Sequence, residues 1–356
     1  METNYMYFEN GLKASVDWLA FTFTMFSSPE RAIELMGYSI QDFTKMPRGG
    51  MGYKSRLRSH SGLSLLFDGN ADMGVHVVIP GSSVSDLLEH YCHTRMINTP
   101  FGIGYDIPVD SSCLAEFLSM VTRYGSFSRV DLAVDDIGAR FYSMDDVLQV
   151  LNEGCFVSKF RSYRNVCEKT TSGAKTGHTI YMGKRTSEIM LRVYDKRLEQ
   201  NGKNADSDIP EIMTDWVRWE LELHGDRADR AVKELASGKE LGEVCVGVLG
   251  NYMRVINLDN SNKSRCSIDA TWEWFLNGIA PLKLYVKKEK RTLDDSRRWL
   301  QRQIAPTLTA VVAADGGSIE FVEKMVYLGL NRLNKRHLDM IAAENPFYGV
   351  GNNWFH

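Results

Sequence analysis

The stretch Ser126-Phe-Ser-Arg-Val-Asp-Leu-Ala-Val-Asp-Asp136 carries the pattern that decides the fold. Successive side chains of an extended segment point to opposite faces of a sheet. One face is then apolar and suits a core, with Val130, Leu132 and Val134. The other face is charged, with Arg129, Asp131, Ala133 and Asp135. This alternation predicts a strand of a sheet that is covered on one side only.

A second stretch, Asp215-Trp-Val-Arg-Trp-Glu-Leu-Glu-Leu-His224, repeats the pattern. Its apolar face is formed by Trp219, Leu221 and Leu223. Its polar face is formed by Arg218, Glu220 and Glu222. The sequence therefore predicts two strands that each present two carboxylates and one arginine on the same side.

Two carboxylates on one sheet face repel each other unless a cation or a proton lies between them. Carboxylate oxygens are the ligands that Mg²⁺ or Mn²⁺ prefers, so a divalent cation bound by Asp131, Asp135, Glu220 and Glu222 is one interpretation. The alternative is a solvated sheet face on which Arg129 and Arg218 form salt bridges with the acids. The sequence alone leaves both open.

The third stretch is Glu188-Ile-Met-Leu-Arg-Val-Tyr-Asp-Lys196, which ends a basic strand with a tyrosine. Read as one strand, it places Arg192, Tyr194 and Lys196 on the same face. Adjacent positive charge favours the ionised phenol and attracts a phosphate, so we expect phosphodiester chemistry with Tyr194 as nucleophile. A surface tyrosine on a sheet is the alternative.

In order and spacing, the three stretches resemble the rolling-circle replication initiation factors of plasmids and filamentous phages. The resemblance includes the related relaxases of integrative elements (the Rep_trans family), and it is clearest over residues 115–230. It implies an origin-specific enzyme that nicks one DNA strand, keeps a 5′-phosphotyrosine and leaves a 3′ hydroxyl as a primer. Tyr194 stands where the family places its nucleophile, and Lys196 would contact the scissile phosphate, with Arg192 beside it. The acidic strand positions are implied to bind Mg²⁺ or Mn²⁺, with Asp131 and Glu220 the better supported.

Clustered positive charge indicates where DNA would bind. The net charge is −3, yet residues 159–203 contain eleven basic and four acidic residues, and residues 45–58 contain five basic and no acidic ones. Such clusters suit phosphate binding with counterion release. The basic residues predicted to contact DNA are Lys159, Arg161, Arg164, Lys184, Arg185 and Arg197. A further basic block, Lys283–Arg302, is predicted to carry origin specificity.

The predicted fold class is α+β, with an antiparallel β-sheet catalytic core, flanking helices and a mainly helical C-terminal portion. Three parts are expected: an N-terminal α/β portion (1–110), a catalytic nicking domain (111–235) and a mainly helical DNA-binding or structural portion (236–356). No internal repeat is evident in the sequence.

Composition limits the remaining classes. The chain has 44% hydrophobic and 24% charged residues and no apolar run of membrane-spanning length, so we expect a soluble protein in the cytoplasm of a bacterial host. The six cysteines include no close CxxC pair, which argues against zinc and for reduced thiols. The eight histidines include no His-hydrophobic-His cluster, which agrees with carboxylate ligation.

Partners follow from this interpretation: origin DNA with a single-stranded or hairpin nick site, and a host helicase and polymerase. Monomer and homodimer both stay open. A relaxase for conjugative transfer would use the same chemistry. A non-enzymatic DNA-binding regulator and a phosphohydrolase of small nucleotides are the alternatives from other classes.

Overall fold

The computed structural model describes residues 5–7, 10–70, 72–97, 111–205, 210–284, 292–330 and 332–345. The chain divides into two compact units, Met1–Val286 and Lys287–His356.

The first unit is built on one antiparallel sheet. Its strands are β1 (Tyr5–Tyr7), β2 (Lys13–Phe23), β3 (Phe43–Lys45), β4 (Ser55–Ser59), β5 (Ser64–Phe67), β6 (Val75–Pro80), β7 (Gly125–Ile137), β9 (Tyr163–Lys169), β10 (Lys175–Met182), β11 (Ile189–Asp195) and β12 (Trp216–His224). Their order is β3-β4-β5-β6-β2-β7-β12-β11-β10-β9, and β1 pairs with β2. A separate pair joins β8 (Phe156–Ser158) to β13 (Met253–Val255).

The helices of the first unit are α1 (Pro29–Leu35), α2 (Gly81–Ile97), α3 (Ser111–Tyr124), α4 (Met144–Glu153), α5 (Lys196–Lys203), α6 (Asp226–Ala236), α7 (Leu241–Tyr252) and α8 (Ala270–Phe275). The second unit contains α9 (Leu293–Trp299), a π-helical turn (Leu300–Ile304), α10 (Ala305–Ala314), α11 (Glu320–Leu330) and α12 (Lys335–Glu344). The α+β fold class is confirmed.

The core lies on one face of the sheet, where amphipathic helices cover it. In α3, Leu114, Phe117, Leu118 and Val121 recur at helical spacing and are buried. The alternating apolar residues of β2, β7 and β12 belong to the same buried cluster. Trp219 packs there against Trp272 of α8, with ring centroids 5.6 Å apart. The predicted apolar faces of the two acidic strands are confirmed.

The opposite face of the sheet carries the polar residues. β7 pairs with β12 so that Asp131 lies opposite Glu222, and Asp135 lies opposite Arg218. β12 in turn pairs with β11, where Glu220 lies opposite Arg192. The three stretches singled out in the sequence are therefore three adjacent strands, and their polar residues meet on one surface.

The predicted three-part division stays a prediction. β2, from the predicted N-terminal portion, pairs with β7 of the predicted catalytic portion, so one sheet spans both. The expectation of reduced thiols is wrong for one pair, because Cys92 of α2 and Cys113 of α3 form a disulfide.

Candidate active site

Tyr194 lies at the end of β11, and its hydroxyl is bonded to a buried acid. The phenol oxygen donates a hydrogen bond to Oε2 of Glu220 on β12, at 2.9 Å. Glu220 is fully buried, and its second oxygen accepts from Nη2 of Arg192. Cross-strand pairing fixes this triad, since Arg192 faces Glu220 directly and Tyr194 faces the next residue on the same face, Arg218.

Lys196 lies near Tyr194, but it is not a residue of the same strand. The strand ends at Asp195, whose carboxylate accepts from the backbone N–H of Leu198 and caps α5. Lys196 is therefore the first residue of a helix, and the prediction that it continues the strand is wrong. Its ammonium still lies 3.5 Å from the Tyr194 hydroxyl, and it also pairs with Glu199. Burial lowers the pKa of Lys196, and the charge of Arg218 adds to the effect.

The expectation that positive charge would ionise Tyr194 is also wrong for this arrangement. Burial raises the pKa of the phenol far above its ordinary value, and the charge of Glu220 adds to the shift. Arg218 acts in the opposite direction but does not outweigh them. The phenol therefore holds its proton, and ionisation requires a base within reach.

Asp131 is the second acid near this triad. Arg129 binds it through two nitrogens, Nε to Oδ1 at 2.9 Å and Nη2 to Oδ2 at 2.6 Å. Burial raises the pKa of Asp131 to about 7, and the charges of Glu220 and Glu222 contribute. Burial likewise raises the pKa of Glu220, with the charge of Asp17 contributing. Neighbouring carboxylates thus add to the effect of burial on both acids.

The other two predicted acids have their own partners. Arg218 binds Asp135 through Nε and Nη2, both at 2.7 Å, and the Trp216 indole N–H donates to the same carboxylate. Glu222 contacts His224 at 2.7 Å and Arg129 at 3.0 Å. Arg129 and Arg218 therefore form the salt bridges that the sequence offered as the alternative to a metal site.

The four carboxylates do not form a ready-made metal site. Within the described part of the chain, no three acidic, histidine or cysteine side chains are grouped so that they could hold one ion. Their oxygens suit a hard divalent cation, but each of the four carboxylates is bound to an arginine side chain. A metal would bind here only if those side chains moved.

One site residue was missed from the sequence. Asp17 of β2 accepts from Nη1 of Arg218 at 2.5 Å, and it lines the same cavity of 270 Å³ as Tyr194 and Glu220. The available signal was the Val16-Asp17 pair, which matches Val130-Asp131 in a strand of the same character.

The structure divides the predicted DNA-contacting residues into two groups. Arg164 lies on the same face as the site, with its guanidinium 4.8 Å from the ring centroid of Tyr181, and Tyr181 pairs with Arg192. Arg197 follows Lys196 in α5 and pairs with Asp195 and Asp215. These two residues flank the site.

The other four lie at the far end of the hairpin. Lys184 and Arg185 are exposed in the turn between β10 and β11, and Gly183 of that turn bonds to Ser162. Lys159 and Arg161 precede β9 at the same end, where Lys159 contacts Asn251 at 2.6 Å. From Ile189 to Tyr194, β11 rises about 17 Å, so these cations lie well away from the phenol.

The structure thus places a buried acid–phenol pair on the polar face of an antiparallel sheet, with cations on either side. The profile of the family Rep_trans, described as Replication initiation factor, matches residues 125–326. The chain belongs to this family.

Two known proteins are similar to this chain. The "Putative DNA relaxase NicK" of Bacillus subtilis (strain 168) is 33% identical over 233 residues, which is 64% of this chain. The chain spans 65% of that relative's length. The solved structure titled "Structure of Rolling Circle Replication Initiator Protein from Geobacillus stearothermophilus" is 26% identical. It matches with a TM-score of 0.60 over 78% of this chain and 100% of that one.

A search for membrane-spanning helices found none among the described residues.

Proposed function

We propose that this protein initiates rolling-circle replication by nicking one strand of origin DNA with Tyr194. The observation that carries the proposal is the hydrogen bond from the Tyr194 hydroxyl to buried Glu220, at the wall of an open cavity beside Lys196. A nucleophile needs a base within hydrogen-bond reach and a cation near the phosphate, and this arrangement supplies both.

The chemical step balances with these residues. Glu220 takes the phenolic proton, and its raised pKa makes it a stronger base than an exposed glutamate. The phenol oxygen forms a bond to the phosphorus, and the bond from phosphorus to the 3′ oxygen breaks. The 3′ oxygen takes a proton from solvent and becomes the 3′ hydroxyl that a host polymerase extends. Because the phosphotyrosine conserves the phosphodiester bond energy, the reverse reaction rejoins ends.

Lys196 and Arg192 have distinct roles in this proposal. The ammonium of Lys196 lies 3.5 Å from the attacking oxygen, so it can bind the phosphate as charge develops. Arg192 bonds to the other oxygen of Glu220 and orients that carboxylate toward the phenol. Arg164 and Arg197 would hold phosphates on either side.

Mg²⁺ or Mn²⁺ stays part of the proposal on electrostatic grounds. Five carboxylates share this surface with four cations: Asp17, Asp131, Asp135, Glu220 and Glu222 with Arg129, Arg192, Lys196 and Arg218. Burial raises the pKa values of Asp131 and Glu220, and neighbouring carboxylates add to both shifts. A divalent cation would reduce the repulsion among these carboxylates, but no step above is derived through one.

The test uses end-labelled single-stranded oligonucleotides that tile the genetic element encoding the protein, resolved on denaturing gels. We expect a labelled protein adduct with the wild type and none with Tyr194→Phe. Tyr124→Phe is the matched control, because Tyr124 ends α3 on the helix-covered side, and it should form the adduct normally. Addition of a chelator, followed by Mg²⁺ or Mn²⁺, tests the metal separately.

Uncut DNA across the whole element, bound tightly by the wild type, would instead support a non-enzymatic regulator.

The proposed partners are origin DNA, a helicase, a polymerase and a second copy of the chain.

A relaxase for conjugative transfer is the second candidate, because the Bacillus subtilis relative is described as a DNA relaxase. The chemistry would be identical and only the fate of the nicked strand would differ. Loss of element transfer, with autonomous copy number unchanged, in a Tyr194→Phe strain would select this alternative.

A further inference from the structure

The two halves of the sheet follow the same path. The first half runs β2, α1, β3, β4, β5, β6, α2, and the second runs β7, α4, β9, β10, β11, β12, α6. From the centre outward, the order is β2-β6-β5-β4-β3 on one side and β7-β12-β11-β10-β9 on the other. The second half additionally contains β8 and α5. A repeat that the sequence did not reveal is therefore present in the topology.

Register extends this correspondence to single residues. The two central strands pair antiparallel with Leu19 opposite Val130, and the pairs on either side correspond when Leu19 is superposed on Val130, so an approximate two-fold axis passes through that pair. Counting three residues onward from each gives Thr22 in β2 and Ala133 in β7.

These positions begin matching rows across the two halves. Thr22 faces His76, and His76 faces Leu66, just as Ala133 faces Glu220 and Glu220 faces Arg192. Thr22 Oγ1 lies 2.9 Å from His76 Nδ1. Leu66 thus occupies the place of Arg192. Asp68, two residues further along the chain, occupies the place of Tyr194, so the first half has no tyrosine at that position.

The first half nevertheless keeps cations on this face. Arg56 faces Leu66 across β4 and β5, and Arg58 faces Ser64, so both side chains share the face of the candidate active site. Arg58 and Lys54 are exposed, and neither forms an ion pair to an acid within the described residues. The corresponding strand of the second half, β10, carries Tyr181 at the position of Arg56. Positive charge without acidic partners is suited to binding phosphates.

We propose that the first half of the sheet is a non-catalytic counterpart of the nicking half, which binds a second segment of the same single DNA strand. This inference rests on the proposed function. Six inter-strand spacings separate β4 from β11, about 29 Å, which corresponds to about nine nucleotides at duplex spacing. The half-buried Trp18, with the Arg129 guanidinium 5.0 Å from its ring centroid, lies on the path between them and can contact a base.

The experiment compares two charge variants on two lengths of DNA. Lys54→Gln and Arg58→Gln are combined in one protein. The control combines Arg230→Gln and Lys233→Gln, which remove the same charge from α6, the helix that covers the other face. Both sets are placed in the Tyr194→Phe background, so that binding is measured without cleavage. The probes are single strands centred on the nick site, about 6 and about 20 nucleotides long, with the salt dependence of Kd recorded for each.

We expect the first variant to bind the long strand more weakly, with the slope of log K against log salt reduced by about 1.4, since each lost phosphate contact removes about 0.7. Binding of the short strand should not change, and the control should match the parent on both. Lys54→Arg and Arg58→Lys together should restore the parent slope. An unchanged slope on the long strand, or an equal loss on both lengths, would overturn the inference.

A failure of the proposed function is detected by a separate measurement: the wild-type protein, which retains Tyr194, would form no adduct with any oligonucleotide. In that case the nick site is undefined, and mixed-sequence strands of the same two lengths replace the probes. The expected difference between lengths stays the same.

Discussion

Burial determines the chemistry available to Tyr194. Burial raises the pKa of the phenol, and the charges of Glu220, Asp17 and Glu199 add to the shift. Arg218 acts in the opposite direction without reversing it. A protonated phenol bonded to a carboxylate is a common way to activate a weak nucleophile, because the proton leaves only as the new bond forms.

Glu220→Gln tests this role. The amide keeps the size of the side chain but cannot take the phenolic proton, so we expect single-turnover adduct formation to slow by about 10²- to 10⁴-fold. Affinity for the oligonucleotide should change little. Glu243→Gln, an exposed charge loss on α7, serves as control. Equal rates for Glu220→Gln and wild type would assign the base elsewhere.

His76 gives the first half a pH-dependent contribution to stability. Burial lowers the pKa of this histidine, so the folded state holds it neutral while the unfolded chain takes up a proton near pH 6.5. The contribution is complete above pH 6.5 and is lost as pH falls. We expect the stability of the wild type relative to His76→Gln to decline between pH 7 and pH 5, by no more than about 1.4 kcal/mol per pH unit. Urea titrations at several pH values measure it, and a constant difference would contradict the assignment.

At the scale of elements, the turn from β11 into α5 connects the strand that carries Tyr194 to the helix that carries Lys196. Asp195 ends the strand that carries Tyr194, and its side chain accepts from Leu198 N–H at 3.0 Å to begin the helix that carries Lys196. A single cap therefore sets the position of the lysine against the phenol. The next turn of the helix adds Glu199, which pairs with Lys196.

Asp195→Ala should lower the free energy of unfolding by about 1 kcal/mol, because the first turn of α5 loses its side-chain acceptor. Adduct formation should fall by a larger factor than this stability loss accounts for, since Lys196 is no longer held. Asp195→Ser retains a capping oxygen and should recover most of both properties. Denaturant unfolding and single-turnover assays at a fixed salt concentration provide the two readouts. Equal adduct rates for the alanine and serine variants would show that the helix cap does not affect adduct formation.

At the scale of the whole molecule, the two units differ in how many of their apolar side chains are buried. The first unit buries a continuous cluster on the helix-covered face of its sheet. In the second unit none of the described residues is buried, and large apolar side chains are exposed, among them Trp299 at 52% and Tyr327 at 64%. Without burial, little offsets the conformational entropy of ordering four helices.

Hydrogen exchange should show this difference. We expect amides of α9–α12 to exchange with opening free energies far below those of β7 and β12, whose hydrogen bonds break only in larger openings. Mass spectrometry of the full chain at low micromolar concentration measures both sets at once. Comparable protection in the two units would mean that a partner, such as a second copy of the chain, covers the apolar side chains of the second unit.

The sequence by itself determined the strands, their faces and the family. Alternation of apolar and charged residues is local, so β7 and β12 and their buried sides could be predicted from residue order. The tyrosine and four acids were found for the same reason, since each lies on such a strand.

Only the tertiary structure decided which groups meet. Asp17 joins the site through the pairing of β2 with β7, a contact between residues more than a hundred positions apart. The upward pKa shift of Tyr194, the arginines on the carboxylates and the separation of Lys184 and Arg185 from the site depend on burial and on strand register. The repeated topology of the two halves was likewise invisible, because hydrogen-bonded strand order can recur without similar residues. Local pattern fixes elements, whereas long-range packing fixes the electrostatic surroundings in which they act.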